Sequence, residues 1–441
     1  MLNDRLDNLG QYPFKRLAAL LEGLEPNPKL APLDLAIGEP KLPLPKLVPQ
    51  IIAKQADQWN RYPPTAGTLE FRVAVKDWLS RRYGLPISLL DSNRHIAPVS
   101  GTRSGLFMIA QAVVPTHKNG QRPIVVMPNP FYQVYAGAAA AAGAETFFVP
   151  VDRATNFLPN IDSIPLELRV KILQRTALAY VCSPSNPQGQ CNSLEGLKML
   201  IRLARQYDFV LVFDECYAEI YNSQQAPAGG LQACAELARE QPEFSDNPFD
   251  QVVVFHSLSK RSSAPGLRSG FAAGDPKIIA KLFQVLEFGG TASPLPIMAA
   301  ATALWSDESH VKEIRETYRQ NFVLAEQIIG GRYHNYRPDG GFFLWLEVGD
   351  GVAKTRQLWR EGHLRVLPGK FLSAPLVDYS TIMAEGSLPT ITGSRAGQSP
   401  NSQAPTPGDD FVRVALVHPP EVTARALKRL VAVLDGSPFE E

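Results

Sequence analysis

Apolar residues in this chain gather in short, unbroken runs separated by stretches with three- and four-residue spacing. Runs at 123–127, 145–149, 176–182, 209–213 and 251–255, rich in Val, Ile, Leu and Phe, predict buried strands. Shorter runs at 96–99 and 270–274 predict two more. Between them, Leu69, Phe71, Val73, Val75, Trp78 and Leu79 predict an amphipathic helix over 68–83. Further helices are predicted at 104–114, from 133 to Ala142 through an Ala-rich run, and at 194–207. Strand and helix alternate, which predicts an α/β fold with a largely parallel sheet covered on both faces. Beyond Pro276 the pattern turns helical, at 277–288, 295–305 and 309–329. Strands at 340–346 and 412–416 and a closing helix at 421–434 complete a second, α+β part. The expected division is an arm with part of the small domain (1–45), a large domain (46–290) and a small domain (291–441). Pro-rich residues 41–49 predict an irregular segment, and Ser, Thr, Gly and Pro at 386–408 predict a flexible insertion, a solvated loop or a lid.

Composition narrows the function classes. The 441 residues carry 44 Lys+Arg against 43 Asp+Glu, so no charge excess points to nucleic acid or an anionic membrane. Cys182, Cys191, Cys216 and Cys234 have no metal-ligand spacing and are expected to be reduced; no metal site is expected. The charged start has no apolar signal segment, and no run approaches the roughly 20 apolar residues of a membrane span. A cytoplasmic protein is expected.

The candidate chemistry sits where strands end. Ser257-Leu-Ser-Lys260 follows the 251–255 run, and Gly266-Leu-Arg268-Ser-Gly270 comes just after it. Such a lysine can hold an aldehyde cofactor as a Schiff base, with Ser257, Ser259 and Arg268 as phosphate donors. A solvated Lys-Arg loop is an equal reading of these residues alone. Other polar motifs also follow predicted strands: Gly101-Thr102-Arg103, Asn129-Pro-Phe-Tyr132, Ser183-Pro-Ser-Asn186-Pro and Asp214-Glu-Cys-Tyr217. Open α/β sheets gather ligands at that edge.

Together with Gly38-Glu-Pro, Tyr62-Pro-Pro-Thr-Ala-Gly and a late Val412-Arg413-Val, these motifs resemble the fold-type I, class I/II aminotransferases, in the same order and over nearly the whole chain. The resemblance implies a large domain with a mostly parallel seven-stranded sheet, a smaller α+β domain and pyridoxal 5′-phosphate as cofactor. It implies that Lys260 binds the cofactor and moves the substrate proton, and that Asp214 pairs with the ring nitrogen. Asn186 and Tyr217 would bond the ring's phenolic oxygen, and Tyr132 would stack on the ring. Gly101, Thr102, Arg103, Ser257, Ser259 and Arg268 would form the phosphate cup. Tyr62 would reach it from a second subunit of a homodimer. Arg413 would grip the substrate α-carboxylate beside Gly38 and Asn186. Without the resemblance Arg413 reads as a surface charge; a strand-end turn residue is the competing reading of Asp214, and a core aromatic that of Tyr132.

The Gly-Thr-Arg, Asn-Pro-Phe-Tyr-Gln-Val-Tyr and Gly-Gly-Phe-Phe-Leu-Trp segments resemble most the succinyldiaminopimelate aminotransferases of lysine synthesis. That resemblance implies amino exchange between glutamate and N-succinyl-2-amino-6-oxopimelate, with Arg103 facing a distal carboxylate. Arg103 facing solvent is the competing reading. A broad aspartate or aromatic aminotransferase, a C–S lyase of the same fold and a non-catalytic regulatory module remain as alternatives.

Overall fold

The computed structural model describes residues 2–6, 9–290, 292–379, 382 and 404–438. Seven strands form one sheet, in the spatial order Ile96–Val99, Gly270–Gly274, Val252–Ser257, Val210–Asp214, Thr176–Cys182, Ile124–Asn129, Glu145–Pro150. Only Gly270–Gly274 runs against the rest. Every residue of Thr176–Cys182 and of Val252–Ser257 is buried. Helices cover both faces of the sheet, and for that reason its strands read as continuous apolar runs rather than alternating ones.

Local chemistry explains the helix ends. Leu69–Tyr83 starts where the Thr68 hydroxyl accepts from the Phe71 amide at 3.3 Å, and it stops at Gly84, whose φ is 63°. Its apolar stripe buries Phe71, Val75, Trp78 and Leu79. The helix Leu295–Ser306 packs on that stripe, with the Trp78 and Trp305 ring centroids 4.8 Å apart.

Phe343–Glu347, Phe411–Ala415 and Leu367–Pro368 form a three-stranded antiparallel sheet in which Arg413 lies opposite Trp345 and Leu367. Ser309–Ile329 and Pro420–Asp435 pack behind it around Phe322, Leu346, Val412 and Leu430. Leu33–Asp34 joins this part by pairing with Leu364–Arg365.

Three sequence expectations need correction. The helix expected at 104–114 spans Thr102–Val113, because Gly101 at φ 82° already makes the turn and frees Thr102 to be helical. The Pro-rich irregular segment expected at 41–49 becomes helical from Leu47, as Leu47–Lys54. Pro49 is tolerated there because the first turn has no intrahelical use for its missing amide hydrogen. The strand expected from Gly340 begins at Phe343, since Gly341 at φ 78° is still in the turn. The N-terminal arm contains the helix Pro13–Leu21, which buries Leu17 and Leu20. Of the expected insertion, residues 386–403 lie outside the described residues. The chain is described again from residue 404, and the Pro405 carbonyl accepts from the Leu376 amide at 2.9 Å.

Candidate active site

The polar ends of Thr176–Cys182, Val210–Asp214 and Val252–Ser257 open into a cavity of about 660 Å³, closed on the far side by Phe343 and Arg413 of the smaller sheet. Lys260 stands on its floor. The side chain of Ser257 caps the four-residue helix Leu258–Arg261 by accepting from the Ser259 amide at 3.1 Å, and this fixes Lys260 one turn beyond a fully buried strand. Its ammonium donates to the Gly38 carbonyl and lies 5.2 Å from the centre of the Phe342 ring. Burial brings the amine down to about 8, so much of it is neutral at mildly alkaline pH. Gly38 is fixed as glycine, because a Cβ there would stand 2.5 Å from the Phe343 ring.

Asp214 ends the neighbouring strand and is buried. One of its oxygens accepts from the Tyr135 hydroxyl at 2.8 Å, the other from the Cys216 amide at 3.3 Å. Burial pushes the carboxyl above its ordinary value, and those hydrogen bonds oppose the shift. A cationic partner in the cavity would restore the carboxylate. Tyr135 stacks on Tyr180, with ring centroids 4.5 Å apart, and so the carboxylate is held from below.

Anion-binding groups converge on another wall. Thr102–Val113 presents its N-terminus to the cavity, where the amides of Thr102 and Arg103 precede the first intrahelical bonds. The Ser257 and Ser259 hydroxyls lie 3.0 Å apart beside it. Arg268, in a left-handed conformation at φ 49°, donates to the Pro265 carbonyl at 2.9 Å and turns its guanidinium across Gly101. A Cβ on Gly101 would collide with that guanidinium.

Opposite the cup lies Arg413, 4 % exposed, so the surface-charge reading of this residue is excluded. It donates to Asn186 Oδ1 at 3.0 Å and to the Ala36 carbonyl at 2.7 Å, and packs on the Phe343 ring at 4.2 Å. Its Nε is buried without a partner, a donor left for an incoming acceptor. Burial lowers the guanidinium to about 10. Asn186 is therefore bonded to Arg413 here. Tyr217 is buried edge-on to Phe342 and Phe343. Arg103 is exposed on the cavity wall; it donates to the Tyr132 hydroxyl at 2.9 Å and the Tyr12 hydroxyl at 3.2 Å.

Of the residues singled out from sequence, all but Gly101 and Tyr62 line this one cavity. Gly101 sits directly behind its wall, against Arg268. Tyr62 is fully exposed and lies away from it in the single chain. Sequence reasoning missed Tyr12, Phe14, Tyr135, Cys182 and Cys216 as cavity or supporting residues. Tyr135 lies in the first turn of the helix Gln133–Ala141, three residues after Tyr132, which precedes the helix in an extended conformation.

The residues present fit pyridoxal phosphate. Lys260 could hold its aldehyde and Asp214 its ring nitrogen, and the Thr102 helix start with Ser257, Ser259 and Arg268 could hold its phosphate. Among the described residues, no group of three His, Cys, Asp or Glu side chains could hold a metal ion, and no helix is long and apolar enough to cross a membrane. The four cysteines form no disulfide.

Comparison with known proteins agrees with this chemistry. The chain is 30% identical over 368 residues to LL-diaminopimelate aminotransferase of Aquifex aeolicus, covering 81% of this chain and 87% of that one. It is 31% identical over 358 residues to 4-dedimethylamino-4-oxo-anhydrotetracycline transaminase OxyQ of Streptomyces rimosus, covering 81% and 88%. The fold superposes on the crystal structure of an aminotransferase from Neisseria meningitidis with a TM-score of 0.84 and 35% identity, covering 98% of this chain and 100% of that one. The family model for aminotransferase class I and II matches residues 31–381, and the chain thus belongs to the class I and II aminotransferases, enzymes that depend on pyridoxal phosphate.

Proposed function

We propose that this transaminase moves an amino group between glutamate and a long dicarboxylic 2-oxo acid of diaminopimelate type, with N-succinyl-2-amino-6-oxopimelate as the acceptor. The observation that carries this reading is Arg103. Its guanidinium lines the same cavity as Arg413 and its contacts are two phenol hydroxyls, which leaves its charge available to a second, distal carboxylate. Glutamate and the succinylated acceptor both carry one. The name of the Aquifex aeolicus relative supports a diaminopimelate skeleton and favours a second reading, in which the substrate is unmodified LL-diaminopimelate.

When bound, pyridoxal phosphate supplies an electron-withdrawing ring that makes a proton on the substrate α-carbon removable. Lys260 Nζ would take that proton from the α-carbon and deliver it to the carbon that enters as the cofactor's aldehyde; a free amine near 8 is suited to both at physiological pH. Asp214 keeps the ring nitrogen protonated. Arg413 orients the α-carboxylate with its unpartnered Nε, and Phe343 and Tyr217 exclude water behind it. The donor leaves as its oxo acid before the acceptor enters. Tyr62, fully exposed in one chain, completes the phosphate cup of a partner in a homodimer.

The test is a set of initial rates with 2-oxoglutarate as amino acceptor and four donors: N-succinyl-LL-diaminopimelate, LL-diaminopimelate, aspartate and phenylalanine. The proposal expects the succinylated donor to lead in kcat/KM by at least about tenfold, and Arg103→Ala to lower kcat/KM for the donors with a distal carboxylate much more than for phenylalanine. LL-diaminopimelate in the lead selects the second reading. Aspartate or phenylalanine ahead of both overturns the diaminopimelate assignment, and pyruvate release from cystathionine would mark a C–S lyase.

A further inference from the structure

The one-turn helix carrying Lys260 is held at its far end by residues outside the cavity. Ser262, two residues on, has no exposed surface, and its amide closes the turn onto the Leu258 carbonyl at 3.0 Å. Its hydroxyl lies 2.8 Å from His310 Nε2. His310 Nδ1 lies 2.5 Å from an Asp307 carboxylate oxygen. A carboxylate only accepts, so Nδ1 carries the proton, and the neutral ring accepts the Ser262 hydroxyl at Nε2.

We propose that Asp307, His310 and Ser262 form a clasp that positions the Lys260 turn against the start of the Ser309–Ile329 helix, with His310 as the positioning residue of the amine.

Three observations converge on it. Arg261, beside Lys260, is buried at 4.9 Å from the Trp305 ring and donates to the Leu304 carbonyl at 2.7 Å, so the same turn is gripped twice from the 304–310 segment. Asp307 is itself fixed, accepting from the Ser309 hydroxyl at 2.8 Å and from the Ser309 amide at 3.3 Å. Further along the same helix, Tyr318 packs at 5.2 Å on Phe342, whose ring lies under the Lys260 amine. The charged groups around His310 are Asp307, Glu308 and Arg261. Burial, aided by Arg261, lowers its pKa, in keeping with a neutral ring. The order Asp-His-Ser matches a hydrolytic triad, but a serine with no exposed surface meets no substrate.

The proposal rests on Lys260 being the cofactor lysine, and one set of variants separates the two ideas. His310→Gln can keep an acceptor at the Nε2 position for Ser262 while losing Asp307. His310→Asn keeps a donor to Asp307 while losing Ser262. Ser262→Ala removes the link with almost no change in volume. The readouts are the pH midpoint of the absorbance of cofactor bound at Lys260, and kcat and KM for glutamate. The clasp expects His310→Asn and Ser262→Ala to move the midpoint by about half a pH unit or more and to lower kcat roughly tenfold at little-changed KM. His310→Gln, which keeps the link to Ser262 but loses its support from Asp307, should fall between wild type and the Asn variant in both. Thr355→Ala, which removes a buried hydroxyl bond to the Gly351 carbonyl on another helix, is the control for stability loss alone. Equal midpoints in all variants, or a Gln variant as impaired as the Asn variant, overturn the clasp. A wild-type protein with no lysine-bound cofactor band overturns the Lys260 assignment instead.

Discussion

Replacing Lys260 by Met should make the cofactor-free protein more stable at neutral pH, although it abolishes turnover. The amine stands on the cavity floor, where burial brings its pKa from 10.5 to about 8. In the unfolded chain it keeps its ordinary affinity for a proton. Below pH 8 the folded protein therefore carries a charge in a place that disfavours it. At 1.36 kcal/mol for each factor of ten in proton affinity, the penalty has a ceiling of about 3 kcal/mol. Water enters the open cavity and softens it. Met also loses the bond to the Gly38 carbonyl, worth about 1 kcal/mol. A net gain of about 1–2 kcal/mol remains, and Met fills the space of the lysine stem. Because the folded pKa lies below the unfolded one, protons favour unfolding. The penalty is complete below pH 8, shrinks as pH rises from 8 to 10.5, and is absent above. The assay is thermal melting of cofactor-stripped wild type and variant at pH 7 and at pH 10.5. Spread over the unfolding entropy of 441 residues, that gain should raise the variant's melting temperature by about 1–2 °C at pH 7, and the advantage should vanish at the higher pH. A variant that melts lower at pH 7, or a gap that ignores pH, would refute the reasoning. On the proposed role of Lys260 as the base, the same depressed pKa would serve the chemistry, and stability and function would be opposed at this one atom.

Asp214→Asn keeps the size of the side chain and its contact with Tyr135 but removes the charge; the half-reaction with glutamate, followed by absorbance, should slow by about 10²–10³-fold. A loss below tenfold would count against the ring-nitrogen role. Gly101→Ala forces a Cβ at φ 82° into the Arg268 guanidinium, and equilibrium dialysis should show cofactor affinity lowered by roughly tenfold or more. Unchanged affinity would take Arg268 out of the phosphate cup. Arg413→Gln removes a buried guanidinium, and kcat/KM for glutamate should fall about 100-fold with cofactor affinity nearly constant. A parallel loss of cofactor affinity would mean that Arg413 supports the cavity rather than the substrate.

Much of the sheet was legible because its strands are buried on both faces, which writes them into the sequence as unbroken apolar runs. The strand-end motifs were legible for a related reason. Turn residues and chemistry-bearing residues fall together at the ends of parallel strands, so Lys260, Asp214 and Asn186 could be assigned to one edge without knowing the strand order. Helix starts were less legible. The shift from 104 to Thr102 turns on the positive φ of Gly101, and the start at Leu47 turns on where Pro49 falls within the first turn. Both are properties of one or two residues that a periodicity averaged over a dozen cannot register.

Arg413 shows what alternation can and cannot tell. On the strand Phe411–Ala415, Val412 and Val414 belong to the core packed against the Ser309–Ile329 and Pro420–Asp435 helices, so residue 413 must face the other way. That much follows from a period of two. What it leaves open is what covers the other face. Here the cover is the end of another sheet, 227 residues earlier, where Asn186 meets the guanidinium at 3.0 Å. A polar face turned toward water and one turned toward a cavity between two sheets have the same local sequence. The two differ only in long-range packing and its cost: a buried guanidinium needs acceptors, and this one has two contacts and an unused donor. An unpaired Nε alone does not mark a binding group, since the more deeply buried Arg261 has one too; what sets Arg413 apart is that it lines the cavity, which is why we propose it as the group that receives a carboxylate. The same argument applies to Ser262. Its position after the lysine reads as an ordinary turn, and only the arrival of His310, 48 residues later, makes its hydroxyl part of a chain of three.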